Sequence, residues 1–124
     1  MKLWLDDIRE PPGTWLYATS ALDHIANGRE VPDWWVWANT AHKAIRVLQT
    51  GRVTECSLDH DLAEEHYAVS TGYCEAPAPP REMTGYDVVK WMAEHNVWPE
   101  IVRVHSMNPA GAEAMRKLIE RSKP

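Results

Sequence analysis

Four aspartates fall in two short clusters, Asp6-Asp7 and Asp59-His60-Asp61, and each cluster follows an apolar run, Lys2 to Leu5 and Val53 to Leu58. Carboxylates that converge repel one another unless a cation, a proton or solvent neutralises them. Mg²⁺ or Mn²⁺ suits such a set, because a hard divalent cation takes oxygen ligands and is commonly held by one or two carboxylates plus substrate phosphate oxygens. Asp6, Asp7 and Asp59 are therefore the candidate metal ligands; any one of them taken alone reads equally well as a helix cap or a solvated acid. His60 stands between two aspartates, which can fix an imidazole tautomer, and imidazole exchanges protons near neutral pH. His105, from the His105-Ser106 pair, is its candidate counterpart. Asp59, His60, Asp61, His105 and Ser106 form the candidate catalytic set. Ser106 would offer a hydroxyl or an N–H to a phosphate oxygen, and its plain alternative is a turn residue before Asn108-Pro109. Arg9 could clamp a phosphate in bidentate fashion, and Thr84-Gly85 opens a helix whose unpaired N–H groups suit an anion. The alternatives there are a solvent-facing arginine and a simple cap.

The elements that must carry these residues are legible from periodicity and punctuation. Lys2 to Leu5 reads as a strand stopped by the acids and by Pro11-Pro12-Gly13. Trp34 to Ala38 reads as a second strand, and Thr40 caps a helix with an apolar stripe at Ala41, Ala44, Ile45 and Leu48 that closes at Gly51. Val53 to Leu58 is the third strand. Residues 62–83 show no sustained period and contain three prolines, so they form either a functional lid or a disordered excursion. Thr84 starts a helix buried through Val88, Val89 and Met92. Ile101 to Val104 is the fourth strand, at a sheet edge because Arg103 interrupts it, and Asn108-Pro109 opens a last helix buried through Ala112, Met115, Leu118 and Ile119. Residues 14–32 read as an insertion with a short helix from Ser20 to Asn27. Strands alternating with helices imply right-handed crossovers and a mainly parallel, four-stranded sheet, with both acidic clusters and His105-Ser106 beyond the carboxyl ends of its strands, where such sheets bind ligands.

Composition narrows the classes. At 124 residues, 44% hydrophobic and 25% charged, the chain fits one globular domain spanning 1–124. A net charge of −5 opposes binding to an extended nucleic-acid duplex, which depends on many basic contacts, and leaves a small phosphorylated ligand open. Cys56 and Cys74 fit no disulfide framework or cysteine-rich zinc site, and zinc held by His60, Glu64, Glu65 or His66 matches no strong spacing. No signal-like or membrane-length apolar run occurs, so the expected setting is cytoplasmic, without membrane contact. Seven tryptophans and no phenylalanine serve either core packing or a surface on which a base or sugar stacks.

Four motifs together, Leu5-Asp6-Asp7-x-Arg9, Ser57-Leu58-Asp59-His60-Asp61-Leu62, Thr84-Gly85-Tyr86-Asp87 and Val104-His105-Ser106-x-Asn108-Pro109, resemble the cyclic-phosphate-processing receiver-like domains over nearly the whole chain. Those domains are similar to response-regulator receivers, whose acidic pair after the first strand binds Mg²⁺ and whose aspartate after the third accepts a phosphoryl group. The resemblance implies a small, truncated flavodoxin-like three-layer α/β domain, with Asp6 and Asp7 as metal-site acids and Asp59 in the phosphoacceptor position. His60, Asp61, His105 and Ser106 are additions that point to hydrolysis. Segments 14–32 and 64–83 are longer than the family pattern. Two function classes follow. One is a metal-dependent phosphoesterase acting on a cyclic phosphate, a cyclic or phosphorylated nucleotide, or an RNA end. The other is a non-catalytic receiver-like module that binds a partner or accepts phosphate as a switch; a signalling receiver also needs a lysine after a fifth strand, and the sequence offers neither.

Overall fold

The computed structural model describes residues 1–62 and 83–124. The lid or excursion expected at 62–83, the residues Glu64, Glu65 and His66, and Cys74 fall in the segment 63–82, outside the described residues. In chain order the elements are β1 (Lys2–Leu5), β2 (Trp15–Tyr17), α1 (Ala18–Ala26), β3 (Trp35–Ala38), α2 (Ala41–Leu48), β4 (Glu55–Leu58), α3 (Gly85–His95), β5 (Ile101–Val104) and α4 (Pro109–Ser122). All strand pairs are parallel, and the sheet order is β2-β3-β1-β4-β5. The helix caps act as their residue types suggest: the Thr40 hydroxyl accepts from the Lys43 N–H at 3.2 Å, and the Asn108 side chain accepts from the Gly111 N–H at 3.0 Å.

Among the described residues the sheet has five strands, which corrects the expectation of four. The additional strand is Trp15-Leu16-Tyr17, inside the segment read as an insertion, and residues 15–26 form a β-α unit of the fold. Three residues are too few to show a period of two, and Pro11-Pro12-Gly13 just before them reads as a stop. Gly13, at φ 88°, turns the chain into β2 in a conformation that other residues rarely adopt.

Chain direction across the sheet decides where each connection runs. From β2 through β3 and β4 to β5 the chain always advances the same way, so right-handed crossovers put α1, α2 and α3 on one face. Neighbouring helices touch in the order α1, α2, α3, α4. Leu3, Leu5, Val36, Ala38, Cys56 and Leu58 point to that face and are fully buried with Ala44, Val47, Val89, Met92 and Met115. Burial pushes the Cys56 thiol up to about 12, which marks it as a packing residue rather than a nucleophile. The step from β1 to β2 runs the opposite way, and handedness sends residues 6–14 over the other face. Among the described residues that face carries no helix, and this strap crosses it. Strand register places Trp4, Trp15, Tyr17, Trp35 and Trp37 there, packed on one another. No helix among the described residues is long and apolar enough to cross a membrane.

The start of α3 is seated against the end of β4. The Gly85 N–H donates to the His60 carbonyl at 2.9 Å, and a Cβ at position 85 would overlap the Asp59 carbonyl oxygen. The overlap involves backbone, which cannot swing aside. Gly85→Ala should therefore destabilise the protein by about 2–3 kcal/mol in urea denaturation; a loss below ~0.5 kcal/mol, the scale of neutral surface changes, would show that α3 is not seated this closely.

Candidate functional site

The carboxyl ends of β1, β4 and β5 open into a cleft of about 360 Å³. Of the residues proposed from sequence, Asp6, Asp7, Arg9, Asp59, Asp61 and His105 line it. His60, Ser106, Thr84 and Gly85 are not among its lining residues. Two residues that sequence reasoning passed over, Ile8 and Met107, complete the wall, and both are more than three-quarters exposed. An apolar residue in each loop that also carries a polar motif, Asp6-Asp7-x-Arg9 and His105-Ser106-x-Asn108, was the available signal.

Asp6 is held through both of its carboxylate oxygens. Its carboxylate is 3% exposed, and Oδ1 accepts from the N–H groups of Ile8 at 2.9 Å and Arg9 at 2.8 Å, closing a turn over Asp6–Arg9. Oδ2 pairs with His105 Nε2 at 3.0 Å, while His105 Nδ1 pairs with the Ser57 hydroxyl at 2.7 Å. A carboxylate only accepts, so Nε2 carries the hydrogen; the Ser57 hydroxyl donates to Nδ1 of a neutral ring and accepts from it in a protonated one. The imidazole also stacks on Trp4, with ring centroids 4.0 Å apart and planes 7° from parallel. Both ring nitrogens of His105 are thus engaged inside the protein. Ser57, 4% exposed on the strand that leads to Asp59, stands in the second sequence motif but received no role from it.

The second acidic cluster divides its tasks. Asp59 Oδ1 accepts from the His60 N–H at 2.9 Å, and Asp61 Oδ1 pairs with His60 Nδ1 at 2.8 Å. The Asn108 amide reaches the same Asp61 oxygen at 3.5 Å, the outer limit for such a bond. The His60 ring lies over α4, where a Cβ on Gly111 would come within 2.5 Å of it. At the start of α3 the Asp87 carboxylate accepts from both the N–H and the hydroxyl of Thr84, at 2.8 and 3.3 Å. With the Gly85 N–H donated to His60, Thr84 and Gly85 serve the helix start and its docking. The Ser106 hydroxyl accepts from the Asn108 N–H at 3.0 Å and shapes the turn into α4.

One oxygen from each of Asp6, Asp7 and Asp59 falls within 4.8 Å of the others. Burial raises the Asp59 carboxyl above its ordinary value, the charges of Asp6 and Asp7 add to the rise, and the His60 N–H opposes it. Such a group costs stability when ionised, and a divalent cation would reverse the sign. Three hard oxygens in reach of one another, one of them from the Asp6 carboxylate that an imidazole and two N–H groups fix, fit Mg²⁺ or Mn²⁺. In metal-free protein the stability tied to Asp59 is present below the ordinary aspartate value of 3.8 and is lost as pH rises through the elevated folded value. Asp59→Asn should therefore melt higher than the parent at pH 7 in EDTA and approach it near pH 4. A variant that melts lower than the parent at pH 7 would contradict the electrostatic account.

The family model for the cyclic-phosphate processing receiver domain matches residues 1–121. Comparisons with curated proteins and with solved structures gave no significant match. Four motifs, a parallel sheet bearing acids at the carboxyl ends of β1 and β4, and this match over nearly all of the chain lead to one conclusion: the chain belongs to the cyclic-phosphate processing receiver domain family.

Proposed function

We propose that this domain is a Mg²⁺- or Mn²⁺-dependent phosphoesterase whose substrate is a cyclic phosphate, a cyclic or phosphorylated nucleotide, or a phosphorylated RNA end. The observation that carries the reading is the meeting of Asp6, Asp7 and Asp59 in one cleft at the carboxyl edge of the sheet. Asp6, Asp7 and Asp59 would hold the cation. A bound divalent cation supplies Lewis acidity toward a phosphoryl oxygen and offsets the charge of the aspartates. Without it, a cleft walled by four aspartates and one arginine repels phosphate, so metal and substrate should favour each other's binding by the reciprocity of linked equilibria.

The chain's own residues then take distinct roles. Arg9, at the end of the Asp6–Arg9 turn, clamps phosphate oxygens. Asp61 is the member of the His60-Asp61 pair that lines the cleft, so proton transfer to or from the substrate is assigned to Asp61, with His60 behind it orienting the carboxylate. His105, with both nitrogens occupied, orients Asp6, and Ser57 fixes the ring. Ser106, Thr84 and Gly85 shape the neighbouring turns.

The test is a screen of 2′,3′-cyclic nucleotides, cyclic oligonucleotides, terminal phosphates and acyl phosphates with Mg²⁺ or Mn²⁺. Turnover of at least one class, abolished by EDTA, is expected. Asp61→Asn should lower kcat by about 10²- to 10⁴-fold while leaving cation affinity near that of the parent. Asp7→Asn should weaken the response to cation, with partial recovery at high Mg²⁺. Inactivity throughout, together with stable labelling of Asp59 by a small phosphodonor, would replace this reading with a phospho-acceptor switch.

A further inference from the structure

We infer that Trp37 and Trp4, on the sheet face opposite the helices, are positioning residues for the cation site. Their indoles fix the first and last carbonyls of the turn that presents Asp6 and Asp7. The inference rests on the cation reading of Asp6, Asp7 and Asp59.

The Trp37 Nε1–H donates to the Asp6 carbonyl at 2.6 Å, and the Trp4 Nε1–H donates to the Arg9 carbonyl at 2.9 Å. Between these anchors the Asp6 carboxylate takes the N–H groups of Ile8 and Arg9, and the Asp6 N–H is tied to the Ala38 carbonyl at 3.1 Å. The turn is thus held at its start, its middle and its end. Trp4 acts on the site a second way, because its ring stacks on the imidazole that holds Asp6 Oδ2. The two indoles are themselves stiffly mounted. Trp37 meets the edge of Trp15 at 4.8 Å and stacks on Tyr17 at 5.8 Å, while Trp4 meets Trp35 at 5.6 Å, with Lys2 Nζ over the Trp35 ring.

Topology explains the need. The strap 6–14 crosses the sheet without a helix, so no backbone ladder of its own holds the acids in place. Trp4 and Trp37 are half-buried, each carries one N–H donor, and both donors find carbonyls of that strap. Among the described residues no helix packs on this face, and the tryptophans support the acidic cleft from it.

Calorimetric titration with Mn²⁺ of the parent and of Trp4→Phe, Trp37→Phe, Trp15→Phe and Trp35→Phe separates the roles. Phenylalanine keeps an aromatic ring and removes the donor. Trp15 and Trp35 share the face but donate to no atom of the turn. Removing outer-shell partners of metal ligands typically costs about 10- to 100-fold in affinity, and that loss is expected for Trp4→Phe and Trp37→Phe, against less than ~3-fold for the two controls. A parallel measurement needs no substitution: in an ¹⁵N spectrum of the parent during Mg²⁺ titration, the indole resonances of Trp4 and Trp37 should move with saturation while those of Trp91 and Trp98 stay. Equal affinities across the four variants, or unmoved Trp4 and Trp37 resonances in a parent that binds the cation, would overturn the positioning role alone. A parent that binds no cation would remove the cation reading and this inference with it.

Discussion

The buried carboxylate of Asp6 is the constraint around which the site is built. It sits 3% exposed beside two other acids and is satisfied on both oxygens, by two N–H groups of its own turn and by His105 from the far strand β5. A buried ionised carboxylate without such partners costs several kcal/mol, so the conformation of the turn, the orientation of His105 and the placement of Ser57 are coupled through one group. That coupling joins β1, β4 and β5 at their carboxyl ends, and it brings the cleft's acids together without further chain.

The reversal of chain direction at β1 gives the arrangement its geometry. Every crossover after β2 runs one way and carries its helix to one face, while the single connection that runs back crosses the other face as a short proline-containing strap. A parallel sheet normally has both faces covered by helices. Among the described residues, one face here is covered by an aromatic layer instead, with indole N–H groups turned toward the strap. The acids lie where the sheet changes direction, which is where ligands enter open α/β sheets. Charge completes the picture, since an acidic cleft admits an anionic ligand only together with a cation.

Much of this was legible in the residues. The ends of β1, β4 and β5 were marked by abrupt changes from apolar to polar, and Thr40, Asn108 and Pro109 announced their helix starts, because those signals are local. The edge position of β5 followed from Arg103, which lies beside Glu55 at the exposed border of the sheet. What escaped was either too short or not local. Strand β2 has three residues and draws its stability from pairing with β3, a partner that sequence order does not name. The direction reversal, which among the described residues leaves one face without helices, depends on strand order. Gly85 read as a candidate anion binder, yet its lack of a side chain answers to the Asp59 carbonyl, a contact made only in the folded chain. His105 read as a proton carrier, while its bonds to Asp6 and Ser57 join residues too far apart in the chain for sequence to pair them. Tryptophan content was conspicuous, but its distribution on one face required the register of three strands.

The most direct measurement of the central claim, that Asp6, Asp7 and Asp59 together form a divalent cation site, is paramagnetic line broadening by Mn²⁺ in the amide spectrum of the chain. Broadening should be strongest for Asp7 to Arg9, for Asp59 to Asp61 and for His105 to Met107, should fade along the strands away from the cleft, and should weaken markedly in Asp7→Asn at the same Mn²⁺ concentration. Broadening centred elsewhere, or unchanged in that variant, would contradict the account.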